Sequence, residues 1–191
     1  YTEKLIEVIE NVSAAQGGSS HRLLERREVQ NVGLLIVTSD RGLAGAYASN
    51  IIRLAEQRII ELGKEGKDVV LYTVGKKAQS YFRYRGYRIE QAYVGVTDTP
   101  GFGDARAVAS RVMSSYAEHH IDALEAFYTN FRTAMTQTPT RRDLLPITPP
   151  DRGDAQTGRV SYQFEPSPEE ILGRLLPRYV EVTVFNILLE A

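Results

Sequence analysis

The residues best placed for chemistry are Thr38-Ser39-Asp40-Arg41-Gly42-Leu43-Ala44-Gly45. They follow an apolar run and lead into helical spacing, the junction at which open α/β sheets often hold phosphate on helix amides. Their composition argues otherwise. Gly42 and Gly45 make only a G-x-x-G spacing, without the third glycine of a dinucleotide fingerprint or the Gly-Lys-Ser/Thr ending of a phosphate-binding loop. The expected role is a structural turn, with Asp40 hydrogen-bonding nearby backbone and Gly42 or Gly45 permitting close packing. His119 and His120 are adjacent and cannot share a helix face, and His21 is remote in sequence, so the histidines do not make a metal site. No serine is framed as G-x-S-x-G. Asp98, Asp104, Glu165 and Glu169 lie near loops, but nothing fixes any pair at a catalytic separation; caps and solvated faces account for them. The absence of cysteine excludes a disulfide, a thiolate zinc site, a cysteine nucleophile and a thiol switch in this chain. No catalytic residue, cofactor or metal ligand is assigned. Eleven tyrosines, with Tyr1, Tyr47, Tyr162 and Tyr179 near element ends, instead suggest an interaction protein, although most tyrosines serve core packing.

The elements that must position this turn can be read from periodicity. With 191 residues, 42% of them hydrophobic and 25% charged, the chain suits one globular domain. A net charge of −1 lacks the basic excess of a protein that grips nucleic acid by neutralising phosphates. No apolar run is long enough to span a bilayer, and Glu3, Lys4, Glu7 and Glu10 interrupt any apolar signal core, so no direct membrane insertion is expected. Leu5, Ile6, Ile9 and Val12 predict an amphipathic helix over residues 1–15, broken by Gly17-Gly18. Val32 to Thr38 is apolar on both faces and predicts a central strand. Helix over 44–62, strand over 68–74, helix over 76–85, strand over 87–94 and helix over 104–119 follow. A fourth strand starting at Asp122 or Ala123 runs to Met135; a turn at Thr136 to Pro139 returns Arg142 to Ile147 antiparallel beside it. Ser167, Pro168 and Glu170 carry a helix-start signature, and Pro177 predicts the start of a second helix running to Ala191. Val180, Val182 and Val184 alternate as in a strand, but Leu175, Leu176, Tyr179, Val182 and Phe185 form a helical stripe, which is the preferred reading.

Val37-Thr38-Ser39-Asp40-Arg41-Gly42-Leu43-Ala44-Gly45-Ala46-Tyr47, with Ser49-Asn50-Ile51 after it, resembles the signature following the first strand of ATP synthase gamma subunits. Val74-Gly75-Lys76-Lys77 resembles that family's second strand and turn. Phe164 to Leu172, with Leu175-Leu176-Pro177-Arg178-Tyr179-Val180-Glu181, resembles the segment entering its C-terminal helix. The blocks occur in order and span essentially the whole chain.

The resemblance implies an α/β fold: a Rossmann-like, mostly parallel sheet with flanking helices, plus stubs of N- and C-terminal coiled-coil helices. It divides the chain into the end of an N-terminal shaft helix (1–15), a connector (16–31), a Rossmann-like body (32–176) and the start of a C-terminal shaft helix (177–191). The family's basic start and long terminal helix are not in this sequence, so the expectation is a form shortened at both ends. The implied function is that of a non-catalytic central-stalk rotor subunit that couples a membrane ring to a catalytic hexamer, peripheral on the cytoplasmic face of a bacterial plasma membrane or the matrix or stromal face of an organelle membrane. The implied partners are the alpha and beta subunits of the catalytic head, the epsilon subunit and the membrane c-ring, with no nucleic acid. Tyr162, Phe164 and Glu165 match the family segment that faces the ring and epsilon; Ser39, Asp40, Arg41, Gly42 and Gly45 match its structural turn. Light-regulated members carry a cysteine-pair insertion after the region equivalent to 146–150, which this chain lacks. The alternative expectation is a small Rossmann-like enzyme or nucleotide-binding protein that uses the Ser39 to Gly45 turn.

Overall fold

A computed structural model of the chain describes residues 5–9, 22–40, 45–131, 137–147 and 168–190. Five strands, β1 (Asn31–Val37), β2 (Asp68–Val74), β3 (Ile89–Tyr93), β4 (Ala123–Phe131) and β5 (Gln137–Leu145), form one sheet in the order β3-β2-β1-β4-β5. The first four are parallel, and only β5 runs antiparallel, beside β4. The most apolar strand, β1, takes the central position, where both faces are covered. Residues 5–9 are helical and are called α1. The remaining helices are α2 (Gly45–Lys64), α3 (Lys76–Tyr84), α4 (Phe102–Ala117) and α5 (Pro168–Glu190).

Strand pleat sends alternate side chains to opposite faces, and two apolar cores result. Val32, Leu34, Ile36 and Phe127 face α2 and α3, where they meet Ile51, Ala55, Leu62 and Phe82. Leu35, Val37, Tyr72 and Ala126 face α4 and α5 and join Leu5 and Ile9 of α1 with Leu23 and Leu24 of a short 3-10 turn. The product is a three-layer α/β/α arrangement. Among the described residues, no helix is long and apolar enough to cross a membrane.

Two local expectations are corrected. Residues Gln137 to Pro139 belong to β5 rather than to a turn; Pro139 lies opposite Thr129 on the edge strand, where a missing amide need not break a central ladder. Helix α5 runs unbroken through Pro177, where a second helix was expected to start. Proline there removes the hydrogen bond to the Gly173 carbonyl and costs about 3 kcal/mol in a helix interior. Burial on both sides offsets this: Leu172, Leu176, Val180, Val184 and Leu188, spaced by four, are all buried. Full burial of such side chains contributes roughly 1.5–3 kcal/mol each, so the two halves gain more by staying on one core than the proline takes away. The Val180 to Val184 stretch is helical, as its wider stripe requires.

Candidate functional site at the carboxyl edge of the sheet

The turn after β1 lies at the carboxyl edge of the parallel strands, where open sheets hold ligands. In this strand order the chain reverses direction across the sheet between β1 and β4. The loops leaving those two strands, 41–44 and 132–136, lie outside the described residues, as do Arg41 and Gly42. Ser39 and Asp40 are half-buried, and Gly45 opens α2.

Asp40 turns toward β2 and β3 rather than toward the reversal point. Its Oδ1 accepts the Lys76 amide at 3.1 Å, and its Oδ2 accepts the Thr97 hydroxyl at 3.0 Å and, weakly, the Thr97 amide at 3.4 Å. The Asp40 amide returns a bond to Thr97 Oγ1 at 3.1 Å. Burial pushes the carboxyl's pKa up, but hydrogen bonds from the Gly95 amide, the Thr97 hydroxyl and the Thr97 and Lys76 amides outweigh it and hold the group below its ordinary 3.8. One carboxylate thus ties together the ends of three strands.

Its neighbour Thr38 performs a similar task. The Thr38 hydroxyl donates to the Val74 carbonyl at 3.3 Å and accepts the Ala78 amide at 3.2 Å. Between them, Asp40 and Thr38 occupy two of the free amides at the start of α3, the groups that would otherwise attract an anion. Gly75 allows this closeness: its φ is 100°, and an added Cβ would lie 2.1 Å from the Thr38 carbonyl oxygen. The arrangement can brace three strand ends, and its polar groups are spent on one another.

The other candidates do not converge on this turn. Tyr162, Phe164 and Glu165 lie outside the described residues. Asp104 caps α4 by accepting the Gly101 amide at 3.0 Å, and His119 and His120 are exposed. No group of three or more potential metal-ligating side chains forms among the described residues.

Two polar networks escape sequence reasoning. Glu125 on β4 is buried on the α2 side and receives Arg58 at 2.9 and 3.0 Å through Nε and Nη2, with Arg141 of β5 at 3.2 Å. A lone acid inside an apolar strand was the available signal. The Glu125 hydrogen bonds, opposed by burial, raise the pKa of the Arg58 guanidinium. At the opposite sheet edge Asp122 accepts the Gln30 and Asn31 amides, each at 2.9 Å, and Arg27 Nε at 3.0 Å. Arg27 also reaches the Tyr116 and Ile121 carbonyls and stacks 4.1 Å above the Tyr116 ring. These contacts sew the segment before β1 onto the body.

A family described as ATP synthase matches residues 1–191. The ATP synthase gamma chain of Brevibacillus brevis is 36% identical over 191 residues, covering all of this chain. That of Desulfitobacterium hafniense is 41% identical over 190 residues. The chain belongs to the ATP synthase gamma-chain family. It spans 66% of the length of the Brevibacillus relative and 65% of the Desulfitobacterium one. Two solved structures share the fold seen here. A chain from the central stalk and c-ring of Tetrahymena thermophila mitochondrial ATP synthase superposes with a TM-score of 0.70 at 23% identity, covering 96% of this chain and 77% of that one. A chain of the Euglena gracilis mitochondrial enzyme gives 0.57 at 14% identity, covering 99% and 70%.

Proposed function

We propose that this chain is the body of a non-catalytic central-stalk rotor subunit that couples a turning membrane ring to conformational change in a catalytic head of alpha and beta subunits. The observation that carries the reading is membership in the gamma-chain family over residues 1–191, together with the use of the Asp40 and Thr38 side chains in bracing. A rotor can bias distant catalytic sites only through contacts that differ with its angle, so its body must resist deformation. The Asp40 and Thr38 ties, the buried Glu125 network and the Arg27 stitch all supply that resistance. Helix α5 and the α1 segment share one core on the same side of the sheet, a placement suited to paired shaft helices.

The partners in this reading are the alpha, beta and epsilon subunits and the c-ring. The location is peripheral, on the cytoplasmic face of a bacterial membrane or the matrix or stromal face of an organelle membrane. Tyr162, Phe164 and Glu165 are assigned to the ring and epsilon side. Ser39, Asp40, Arg41, Gly42 and Gly45 are assigned a structural role at the body's upper turn. Residues 1–15 and 177–191 belong to shaft helices, 16–31 connect, and 32–176 form the body.

Co-expression of the full-length subunit with head, epsilon and ring subunits tests this. The subunit is expected to co-purify in stoichiometric amount and to support ATP-driven proton pumping; a full-length subunit that never enters the complex contradicts the reading. Charge reversal at Glu165 is expected to weaken pumping while ATP hydrolysis by the detached head continues, and unchanged pumping removes that residue from the ring contact.

A further inference from the structure

The stripe that buries α5 cannot by itself fix where the helix sits. Leu172, Leu176, Val180, Val184 and Leu188 are buried at every fourth position, and the α4 residues in the same core, Ala105, Val108, Ala109 and Val112, are aliphatic as well. Sliding α5 by four residues, about 6 Å of rise, would set a leucine or valine where a leucine or valine was. Apolar burial therefore changes little between one register and the next. A repeating seam needs contacts that do not repeat in order to select one register.

Such contacts sit at the first turns of α4. Phe102 opens that helix, and its ring has the Arg178 guanidinium carbon 4.6 Å from its centroid and the Phe185 ring 5.5 Å away at an interplanar angle of 74°. Residues seven apart on a helix are separated by about 10.5 Å of rise, so the ring occupies the interval between two turns of α5 as a knob. One turn along α4, Arg106 Nε lies 3.6 Å from Glu181 Oε2, on the α5 turn between Arg178 and Phe185. A four-residue slide one way would place Phe102 between Val182 and Leu189, with Arg106 against Phe185; the other way, between Arg174 and Glu181, with Arg106 against Pro177. Either slip parts Arg106 from Glu181. The end of α4 that carries Phe102 is itself anchored, because Thr97, just ahead of it, is bonded to Asp40 at the strand ends.

We propose that Phe102 is a positioning residue for coupling: held between Arg178 and Phe185, it sets the register of α5 on the body, and the Arg106 to Glu181 pair disfavours the slipped alternatives. Glu181 Oε2 is buried and accepts no hydrogen bond among the described residues, and Arg106 is 66% exposed. A pair of this kind contributes little net stability and acts by making the other registers worse. The inference rests on the rotor reading in one respect, that α5 carries motion between body and head. A helix free to slip under load would lose the angle-dependent contacts it must deliver.

The test uses the full-length subunit with any other cysteine replaced and spin labels at Ser114→Cys of α4 and Asn186→Cys of α5, both exposed. Label distances are read by double electron–electron resonance in the isolated subunit and in the assembled complex, where protons pumped per ATP hydrolysed are also measured. The parent is expected to show one narrow distance. Phe102→Ala should add a second population displaced by up to about 6 Å and, with half the molecules slipped, lower pumping per ATP about twofold. Phe102→Tyr keeps the ring and should retain both parent values. Arg106→Glu should also broaden the distance, and adding Glu181→Lys to it should restore the single value. If Phe102→Ala does not assemble, Phe102→Leu, which keeps apolar bulk without the faces of a ring, makes the same comparison. A lower thermal midpoint with one unshifted distance, or a shifted distance with pumping per ATP at the parent value, overturns the inference and leaves the rotor reading standing. A parent subunit that assembles without coupling removes the rotor reading, while the distances in the isolated subunit still decide whether Phe102 sets the register.

Discussion

The two faces of the sheet solve the same burial problem with different material. On the α2 and α3 side the core comes, apart from Phe127 of β4, from the consecutive units β1 to α3, and a buried Glu125 with two arginines is built into it. On the α4 and α5 side the core gathers residues as far apart as Leu5 and Leu188, and its α5 stripe is aliphatic from Leu172 onward. The first face is mostly local, and its basic excess is confined to α3, which carries lysine and arginine but no acidic residue. The second joins the described helices from the two ends of the chain to one core. In the proposed rotor reading this division suits a connector: one side would hold the members that transmit motion, and the other would leave a surface for partners.

Truncation on either side should be costly, and the effects should be similar if the shared sheet makes the body one cooperative unit. Leu176→Ala on the α5 side is expected to lower stability by about 2–5 kcal/mol and Phe82→Ala on the α3 side by about 3–5 kcal/mol. Denaturant unfolding should show one transition in both cases. Two separated transitions would mean that the faces fold independently.

Glu125→Ala sharpens the comparison, because it leaves two arginines without their partner on the α2 side only. A loss of about 3 kcal/mol is expected for breaking a buried pair. Arg141→Ala removes the more exposed cation and should cost no more than about 1 kcal/mol. Equal losses would show that the network is not centred on the Arg58 to Glu125 pair.

Gly75→Ala probes the junction of the strand ends. A β-carbon at φ 100° that also meets the Thr38 carbonyl should cost about 1–3 kcal/mol, read as a lower thermal midpoint. Acid provides a gentler probe. Asp122, like Asp40, has its pKa held below the ordinary 3.8: burial raises it, but the Asn31 and Gln30 amides and Arg27 lower it further. The unfolded chain therefore binds protons first, so the stability these groups contribute is present above about pH 4 and is lost as pH falls through their folded values. Asp122→Asn should flatten that decline, and an unchanged acid profile would remove Asp122 from it. Tyr84→Ala, at the exposed end of α3, should shift stability by less than about 0.5 kcal/mol.

Much of the fold was legible from residue patterns. The bounds of β2 follow its apolar run, and the central place of β1 follows from apolar residues on both faces. Edge conditions were less legible: Pro139 looks like a turn residue until β5 is known to lie outermost, and Pro177 looks like a boundary until α5 is known to be buried on both sides of it. Asp40 could be read as a hydrogen-bonder, but its partner Thr97 lies 57 residues away, and no local pattern encodes that pairing. The same is true of Arg58 with Glu125, 67 residues apart.

Rotation itself gives the most direct test. A bead is attached at Ser114→Cys, on the exposed face of α4, in the full-length subunit with any other cysteine replaced, which is assembled with surface-anchored alpha and beta subunits and supplied with ATP. The bead is expected to turn steadily in one direction and to stop when ATP is removed. ATP hydrolysis by that complex with a motionless bead, while the same preparation retains the subunit in stoichiometric amount, would contradict the rotor account.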